Sequence, residues 1–187
     1  MDKRLVCTIG HSNRPIGAFT DLLGIHQIGR VIDVRTVPRS RHNPQFSQQA
    51  LAESLKALAI GYAHLPGLGG LRRARADSLN TGWENRSFRG YADHMQSPEF
   101  AENIGRVVEL ASDARCALMC AEAVPWRCHR SLIADALLIR GIRVEHIIGS
   151  GKRKPHVLTA FARPEGTRIT YPAPADSADE LRSGAPK

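Results

Sequence analysis

CALMCAEAVPWRCHRSLIADALLIRG, residues 116–141, decides the fold and locates the expected site. Its first five residues form a short apolar run, which is typical of a strand buried on both faces. Residues 131–140 then carry apolar side chains at helical spacing, and Gly141 is the residue type that commonly follows a helix end. The loop at residues 121–127 and the Cys-His-Arg sequence after it therefore lie where a buried strand passes into a helix.

The same alternation of strand and helix continues on both sides of this unit. Apolar runs predict four further strands, at residues 5–9, 31–34, 62–65 and 144–148. Helices are predicted to begin at Pro15, after Ser47 as N-cap and after Ser97 as N-cap, and helical structure is predicted from Tyr91. This order predicts a single α/β domain of Rossmann-like type, with a mostly parallel sheet of about five strands and helices on both faces.

Two segments depart from this alternation. Residues 71–90 are rich in glycine and arginine without a clear period, which predicts a long functional loop or flap. From Tyr171 onward the sequence is rich in proline, alanine and serine, so residues 171–187 are expected to form a disordered tail. The α/β domain is accordingly expected to span residues 1–170.

The balance of charge favours an anionic partner. The 187 residues carry a formal net charge of +8, which suits a nucleotide, a phosphorylated metabolite or a nucleic acid. A solvated, arginine-rich surface would give the same balance. Aromatic residues make up only 5% of the sequence, which argues against a surface that stacks single-stranded bases.

Nothing in the sequence predicts contact with a membrane. No apolar run approaches the roughly 20 residues that cross a bilayer. The first residues, MDKRLVCTIGHS, lack the apolar core of a secretory signal. A cytoplasmic location is therefore expected, in which the four cysteines stay reduced.

Polar and ionisable side chains follow the predicted strands where the strands end. Ligands of parallel sheets bind at the carboxyl edge, so these side chains are expected to share one site. The candidates are His11, Ser12, Asp33, Arg35, Cys120, Glu122, Cys128, His129, Arg130, His146 and, further along, His156.

The predicted helix entrance suits an anion. Free N–H groups and the helix dipole stabilise a thiolate, a phosphate or a carboxylate at such a place. Arg127 and Arg130 add donors that match phosphate, and Glu122 can act as a general acid or base or orient a histidine. Cys116, within the strand, is expected to be a core residue.

Six motifs appear in a recognisable order: TIGHS (8–12), DVRTVPRSR (33–41), PGLGG (66–70), YADHM (91–95), CAEAVPWRCHR (120–130) and EHIIG (145–149), followed by His156. Together they resemble the domain of unknown function 488 family over about residues 5–160. The resemblance implies an α/β fold and no assigned reaction. It implies signature positions at His11, Ser12, Asp33, Arg35, Tyr91, Cys120, Glu122, Cys128, His129, Arg130, His146 and His156.

The favoured function is an enzyme that acts on a nucleotide or another phosphorylated or anionic substrate. The catalytic candidates are His11, Glu122, Cys128 and His129. The substrate-binding candidates are Ser12, Asp33, Arg35, Tyr91, Cys120, Arg127, Arg130, His146 and His156.

The first alternative is thiol chemistry of the rhodanese or cysteine-phosphatase kind, whose general layout is also strand, cysteine, loop, arginine and helix. Counted from Cys120, however, the loop to Arg127 is one residue longer than the tight anion loop of those enzymes, and Glu122 would repel an anion. Arg130, Glu122 and His129 are therefore preferred to either cysteine acting as a nucleophile.

The second alternative is a nucleic-acid-associated or metal-binding protein without catalysis. Residue types that bind zinc or iron are present at Cys120, Cys128, His129, His146 and His156. Their spacing matches no closed zinc motif, so no metal ligand is assigned, although a metal ion remains an open alternative. The sequence indicates no particular cofactor and no particular oligomeric state.

Overall fold

The computed structural model describes residues 5–174. Five parallel strands form most of one sheet: β1 (Leu5–Gly10), β2 (Arg30–Asp33), β3 (Gly61–His64), β4 (Cys116–Cys120) and β5 (Arg143–Ile147). A sixth short strand, β6 (Lys154–Pro155), pairs antiparallel with β5. The strand order is β3-β2-β4-β1-β5-β6, so β1 lies between β4 and β5. The predicted mostly parallel α/β fold is confirmed.

Helices cover both faces of the sheet, because successive side chains of a strand point to opposite faces. Within residues 5–174, the five α-helices are α1 (Ile16–Ile25), α2 (Gln48–Lys56), α3 (Arg86–His94), α4 (Pro98–Asp113) and α5 (Arg130–Leu138). In β4, Ala117 and Met119 pack with the buried side chains of α1 and α2. Cys116, Leu118 and Cys120 instead pack with those of α3, α4 and α5. Cys120 therefore lies on the same face as α5.

The segment at residues 71–90 is only partly a loop. Asn85 caps α3 by accepting hydrogen bonds from the backbone N–H groups of Ser87 and Phe88, so the helix begins five residues before Tyr91. The irregular part before the cap is held in place by Asp93, which lies near the end of α3. The Asp93 carboxylate accepts hydrogen bonds from the Arg75 backbone and from the Ser78 and Asn80 side chains.

The packed part of the chain extends through Tyr171. A two-stranded antiparallel hairpin, β7 (Arg163–Glu165) and β8 (Arg168–Thr170), precedes it, and Gly166 at the turn has a φ of 59°. The Tyr171 side chain is fully buried and donates a hydrogen bond to Asp135. Tyr171, the first residue of the tail that was expected to be disordered, is therefore packed against the domain. Residues 175–187 of that tail lie outside the described part of the chain.

Three strands bring the candidate site together at one edge of the sheet. Gly10 at the end of β1 is in register with Cys120 at the end of β4, and Asp33 at the end of β2 is in register with Met119. A Cβ atom on Gly10 would lie 1.9 Å from the Glu122 carbonyl oxygen, so glycine allows the loop after β4 to fold over β1. Within residues 5–174, no helix is both long and apolar enough to span a bilayer.

Candidate functional site

A cavity of about 420 Å³ opens at the carboxyl edge of β1, β2 and β4. Its volume lies in the range of small-molecule sites, which is about 300–1,000 Å³. The site residues expected from the sequence that line it are His11, Arg35, Tyr91, Cys120, Glu122, Arg127, Cys128 and His129. The others, which lie away from its lining, are Ser12, Asp33, Arg130, His146 and His156.

Two cysteine thiols meet in the wall of this cavity. The Sγ atom of Cys120, at the end of β4, lies 2.9 Å from the Sγ atom of Cys128, and neither cysteine is in a disulfide. The hydrogen bond from Cys120, together with His129 and Arg130, holds the pKa of Cys128 well below its usual value despite burial. The same hydrogen bond and burial raise the pKa of Cys120. Cys128 is therefore the more acidic thiol of the pair.

His129 is oriented so that it can accept the proton of Cys128. Its Nε2 atom lies 3.1 Å from the Val34 carbonyl oxygen, and its Nδ1 atom lies 3.5 Å from the Cys128 sulfur. Because a carbonyl oxygen only accepts, Nε2 carries a proton, and in the neutral ring the lone pair of Nδ1 faces the sulfur. A Cβ atom on Gly70 would lie 2.5 Å from Nδ1, so glycine leaves room for the imidazole in this position.

The Tyr91 side chain supports His129 from the α3 side. Its ring centroid lies 5.1 Å from that of His129, and its hydroxyl donates a 2.8 Å hydrogen bond to the Leu68 carbonyl. Burial raises the pKa of Tyr91 well above its usual value. The hydroxyl is therefore a neutral donor engaged with the backbone, and the ring forms part of the cavity wall.

Arg130 lies behind the thiols, where it is 1% exposed. Its backbone N–H lies 3.5 Å from the Cys128 sulfur, and its guanidinium donates to Thr8 Oγ1 and to the Glu122 carbonyl. Within the part of the chain that the structure describes, no carboxylate lies within ion-pair distance of this guanidinium. Burial alone would lower the pKa of Arg130, but its interactions with Cys120 and Cys128 raise it above its usual value.

A buried cation requires an anion beside it. Cys128, whose pKa is lowered, is a neighbouring group that can supply this negative charge, and the cation in turn favours its ionised form. The sequence predicts Arg130 as a direct substrate ligand. The structure instead places its side chain outside the cavity lining, in contact with the residues that form the thiol pair.

A second buried group forms the opposite wall of the cavity. Arg35 makes a two-pronged ion pair with Asp33, which is fully buried, and its Nη1 atom lies 3.3 Å from His11 Nε2. His11 Nδ1 lies 2.7 Å from the Ser12 carbonyl oxygen, so this nitrogen donates and Nε2 accepts from Arg35. Burial is the main cause that lowers the pKa of His11, so the ring is neutral at neutral pH.

The charge available to a ligand lies at the cavity rim. Arg35 is neutralised by Asp33, whereas Arg39 and Arg127 are exposed and line the cavity. Glu122 is also exposed there, and its carboxylate accepts a hydrogen bond from the Val124 backbone. Arg39 follows β2 within the DVRTVPRSR motif, although it is not one of the substrate-binding candidates named from the sequence.

The apolar part of the lining was also missed from the sequence. Val37 and Leu71 are 56% and 82% exposed, and they line the cavity together with Phe88. Val37 and Leu71 lie in loops that have no apolar periodicity, so only the fold reveals that they share a cavity. Their exposure leaves an apolar surface beside the rim arginines.

The expected metal-ligand types do not converge. Among residues 5–174, no group of three or more His, Cys, Asp or Glu side chains is arranged to hold a metal ion. Cys120, Cys128 and His129 are at the cavity, whereas His146 contacts Thr8 and His156 contacts Asp135.

A family model described as Domain of unknown function DUF488 matches residues 15–137, which is more than half of the chain. The chain therefore belongs to the DUF488 family. The matched range contains the CAEAVPWRCHR motif, while TIGHS and EHIIG lie outside it. Comparison with curated proteins and with solved structures gives no match.

Proposed function

We propose that this protein is an enzyme that uses the Cys128 thiolate as a nucleophile toward a small anionic substrate, such as a nucleotide or another phosphorylated molecule. One observation carries the proposal. The buried Arg130 guanidinium has no carboxylate partner among the described residues, and the Arg130 backbone N–H lies 3.5 Å from the sulfur of Cys128, one of two thiols that line an open cavity. A thiolate kept ionised in a cavity of this size is typical of a reactive cysteine.

The roles of the other residues follow from their positions. The Cys128 sulfur attacks an electrophilic atom of the substrate and forms a covalent bond to it. The group that is displaced leaves with the proton held by His129, which returns to the neutral form. Cys120 donates a hydrogen bond to the thiolate before the attack.

Substrate binding is assigned to the rim and the apolar wall. Arg39 and Arg127 supply the positive charge for a phosphate or carboxylate. Leu71 and Phe88 contact the apolar part of the substrate, for example a ring. Glu122 stands at the rim as a general acid or base for the leaving group or for water.

The nucleophile in this proposal is Cys128, which is already a catalytic candidate from the sequence, and not Cys120 at the strand end. The loop-length argument counts from Cys120 at the strand end, which is the position of the nucleophile in rhodanese-like and phosphatase-like enzymes. Cys128 instead comes directly before the N-cap of α5, so its loop precedes it. Loop length therefore excludes the layout of those enzymes but leaves thiol chemistry open.

The test is the pH dependence of alkylation by iodoacetamide, read residue by residue by mass spectrometry. Cys128 is expected to react at pH 6–7, while Cys7 and Cys116 do not, because burial raises the pKa of each to about 11. Cys128→Ser abolishes the modification, and Cys116→Ser is the matched control that keeps it. Alkylation of Cys128 only above pH 8 would contradict the proposal.

The anionic substrate is tested in the same assay. Inorganic phosphate and nucleoside monophosphates are expected to slow alkylation of Cys128 in the wild-type protein. The protection is expected to weaken in Arg127→Ala, while Arg106→Ala, which alters an exposed helix residue outside the cavity lining, keeps it. Full alkylation at every concentration of every anion would remove the anionic substrate from the proposal.

A nucleic acid is a second source of the same anion. Trp126 is 58% exposed next to Arg127, and Lys154 Nζ lies 5.0 Å from its ring centroid. Binding of labelled oligonucleotides that weakens steeply with salt would favour this substrate, because phosphate contacts release counterions. We also propose a cytoplasmic location, where thiols are kept reduced.

A further inference from the structure

His146 and His156 belong to a hydrogen-bonded series that leads from a buried carboxylate to Arg130. His156 Nε2 lies 2.8 Å from Asp135 Oδ1, and His156 Nδ1 lies 3.1 Å from His146 Nε2. His146 Nδ1 lies 2.8 Å from Thr8 Oγ1, which accepts a 3.3 Å hydrogen bond from Arg130 Nη1. We call these five side chains the histidine network.

With one proton on each histidine ring, a single set of hydrogen-bond directions satisfies the network. The Arg130 guanidinium only donates and the Asp135 carboxylate only accepts. Thr8 therefore accepts from Arg130 and donates to His146 Nδ1, and His146 Nε2 donates to His156 Nδ1. His156 Nε2 donates to Asp135, so each ring uses one nitrogen as a donor and the other as an acceptor.

We propose that His146 and His156 are positioning residues, which act through Thr8 to hold the Arg130 guanidinium beside the Cys120–Cys128 pair. The inference rests on the proposed function, because it assigns a purpose to Arg130 at the nucleophile. It also explains why two histidines that the sequence associates with the site lie outside the lining of the cavity. Neither ring contacts the substrate in this role.

The far end of the network is firmly anchored. Asp135, in α5, is fully buried and accepts hydrogen bonds from the Thr159 backbone, the Thr159 hydroxyl and the Tyr171 hydroxyl. These donors come from the part of the chain after β6, so the position of His156 is fixed from two sides. A fixed His156 in turn fixes His146 and Thr8.

The near end of the network leaves the guanidinium little freedom. Arg130 Nη1 is held by Thr8, and a hydrogen bond joins Nη2 to the Glu122 carbonyl, from which the Cys120 sulfur lies 3.8 Å away. The buried Nε atom has no hydrogen-bond partner among residues 5–174. Loss of the Thr8 contact would leave one end of a buried cation free to rotate away from the thiols.

The experiment compares His146→Leu, which interrupts the network, with His146→Gln, whose amide can accept from Thr8 and donate to His156. The first readout is the apparent pKa of Cys128 from the pH profile of alkylation. We expect His146→Leu to raise it by about one unit, which lowers alkylation about tenfold at pH values below the pKa. His146→Gln is expected to retain the wild-type profile.

The second readout is the NMR signal of the Arg130 guanidinium. Slow hydrogen exchange and slow rotation are expected in the wild type and in His146→Gln, and faster motion in His146→Leu. Tyr171→Phe is the control for general destabilisation: it removes one donor to Asp135 and leaves the network intact. If His146→Leu does not fold, Thr8→Val interrupts the network with a side chain of the same shape.

The outcomes separate this inference from the proposed function. An ordinary cysteine pKa for Cys128 in the wild type refutes the proposed function, and the Arg130 signals alone then decide whether the network positions the guanidinium. A low Cys128 pKa that is unchanged in folded His146→Leu and Thr8→Val refutes the network. Equal shifts in His146→Leu and Tyr171→Phe would also refute it, because the effect would then follow from stability alone.

Discussion

Replacing Cys120 by alanine removes the thiol that donates a hydrogen bond to Cys128. The two sulfur atoms are 2.9 Å apart, and this contact is the main cause of the low Cys128 pKa. A hydrogen bond to a charged group contributes about 1.5–3 kcal/mol, and one pKa unit corresponds to about 1.4 kcal/mol. Cys120→Ala is therefore expected to raise the pKa of Cys128 by about one to two units.

The assay is thiolate absorbance at 240 nm, titrated from pH 4 to pH 10. Cys7 and Cys116 both have a pKa raised to about 11, so Cys128 is the thiol expected to titrate below pH 9. Cys120→Ser keeps a hydrogen-bond donor and is expected to shift the midpoint less than alanine does. An unchanged midpoint in folded Cys120→Ala would refute the assignment of the proton to Cys120.

Three further changes test other parts of the structure. Burial lowers the pKa of His146 from 6.5 in the unfolded chain to about 4 in the folded protein. As the pH falls from 6.5 towards 4, the unfolded chain therefore takes up the proton first, and the free energy of unfolding decreases by about 1.4 kcal/mol per pH unit. Above pH 6.5 the stability that the neutral, buried His146 contributes is fully present. Urea denaturation should show a shallower loss in His146→Gln. Gly70→Ala should displace His129 Nδ1 and slow Cys128 alkylation about tenfold at pH values below the Cys128 pKa, with little change in Tm; an unchanged rate there would show that His129 does not assist ionisation. Gly10→Ala places a Cβ against the Glu122 backbone and should reduce the free energy of unfolding by about 1–3 kcal/mol, measured in urea.

The parts of the fold that the sequence predicts well are those with strong local signals. The apolar run of β4 gives its bounds directly, and Ser97 and Pro98 mark the start of α4. The start of α3 is missed because its first turn contains arginine and serine, and the cap at Asn85 lies in an arginine-rich segment. The β7–β8 hairpin is missed because its first strand is wholly exposed and carries no alternation.

The position of the site follows from the topology of the sheet, whereas its chemistry depends on contacts between residues that are distant in the sequence. The expectation that ionisable residues collect at the carboxyl ends of strands selects eight residues that line the cavity, when Arg127 and Tyr91 are included. The choice between the two cysteines depends on a contact of 2.9 Å and on the burial of Arg130, and no local pattern encodes either. The same holds for the histidine network, since Thr8 and His146 are 138 positions apart.

The central position of β1 has a consequence for how the protein is made. β1 is synthesised more than a hundred residues before both of its sheet partners, β4 and β5. Its two edges therefore remain unpaired while most of the chain is translated, and closing such distant contacts slows folding. We expect the nascent chain to depend on chaperones until β5 has left the exit tunnel, and the thiol pair to assemble only at that late step.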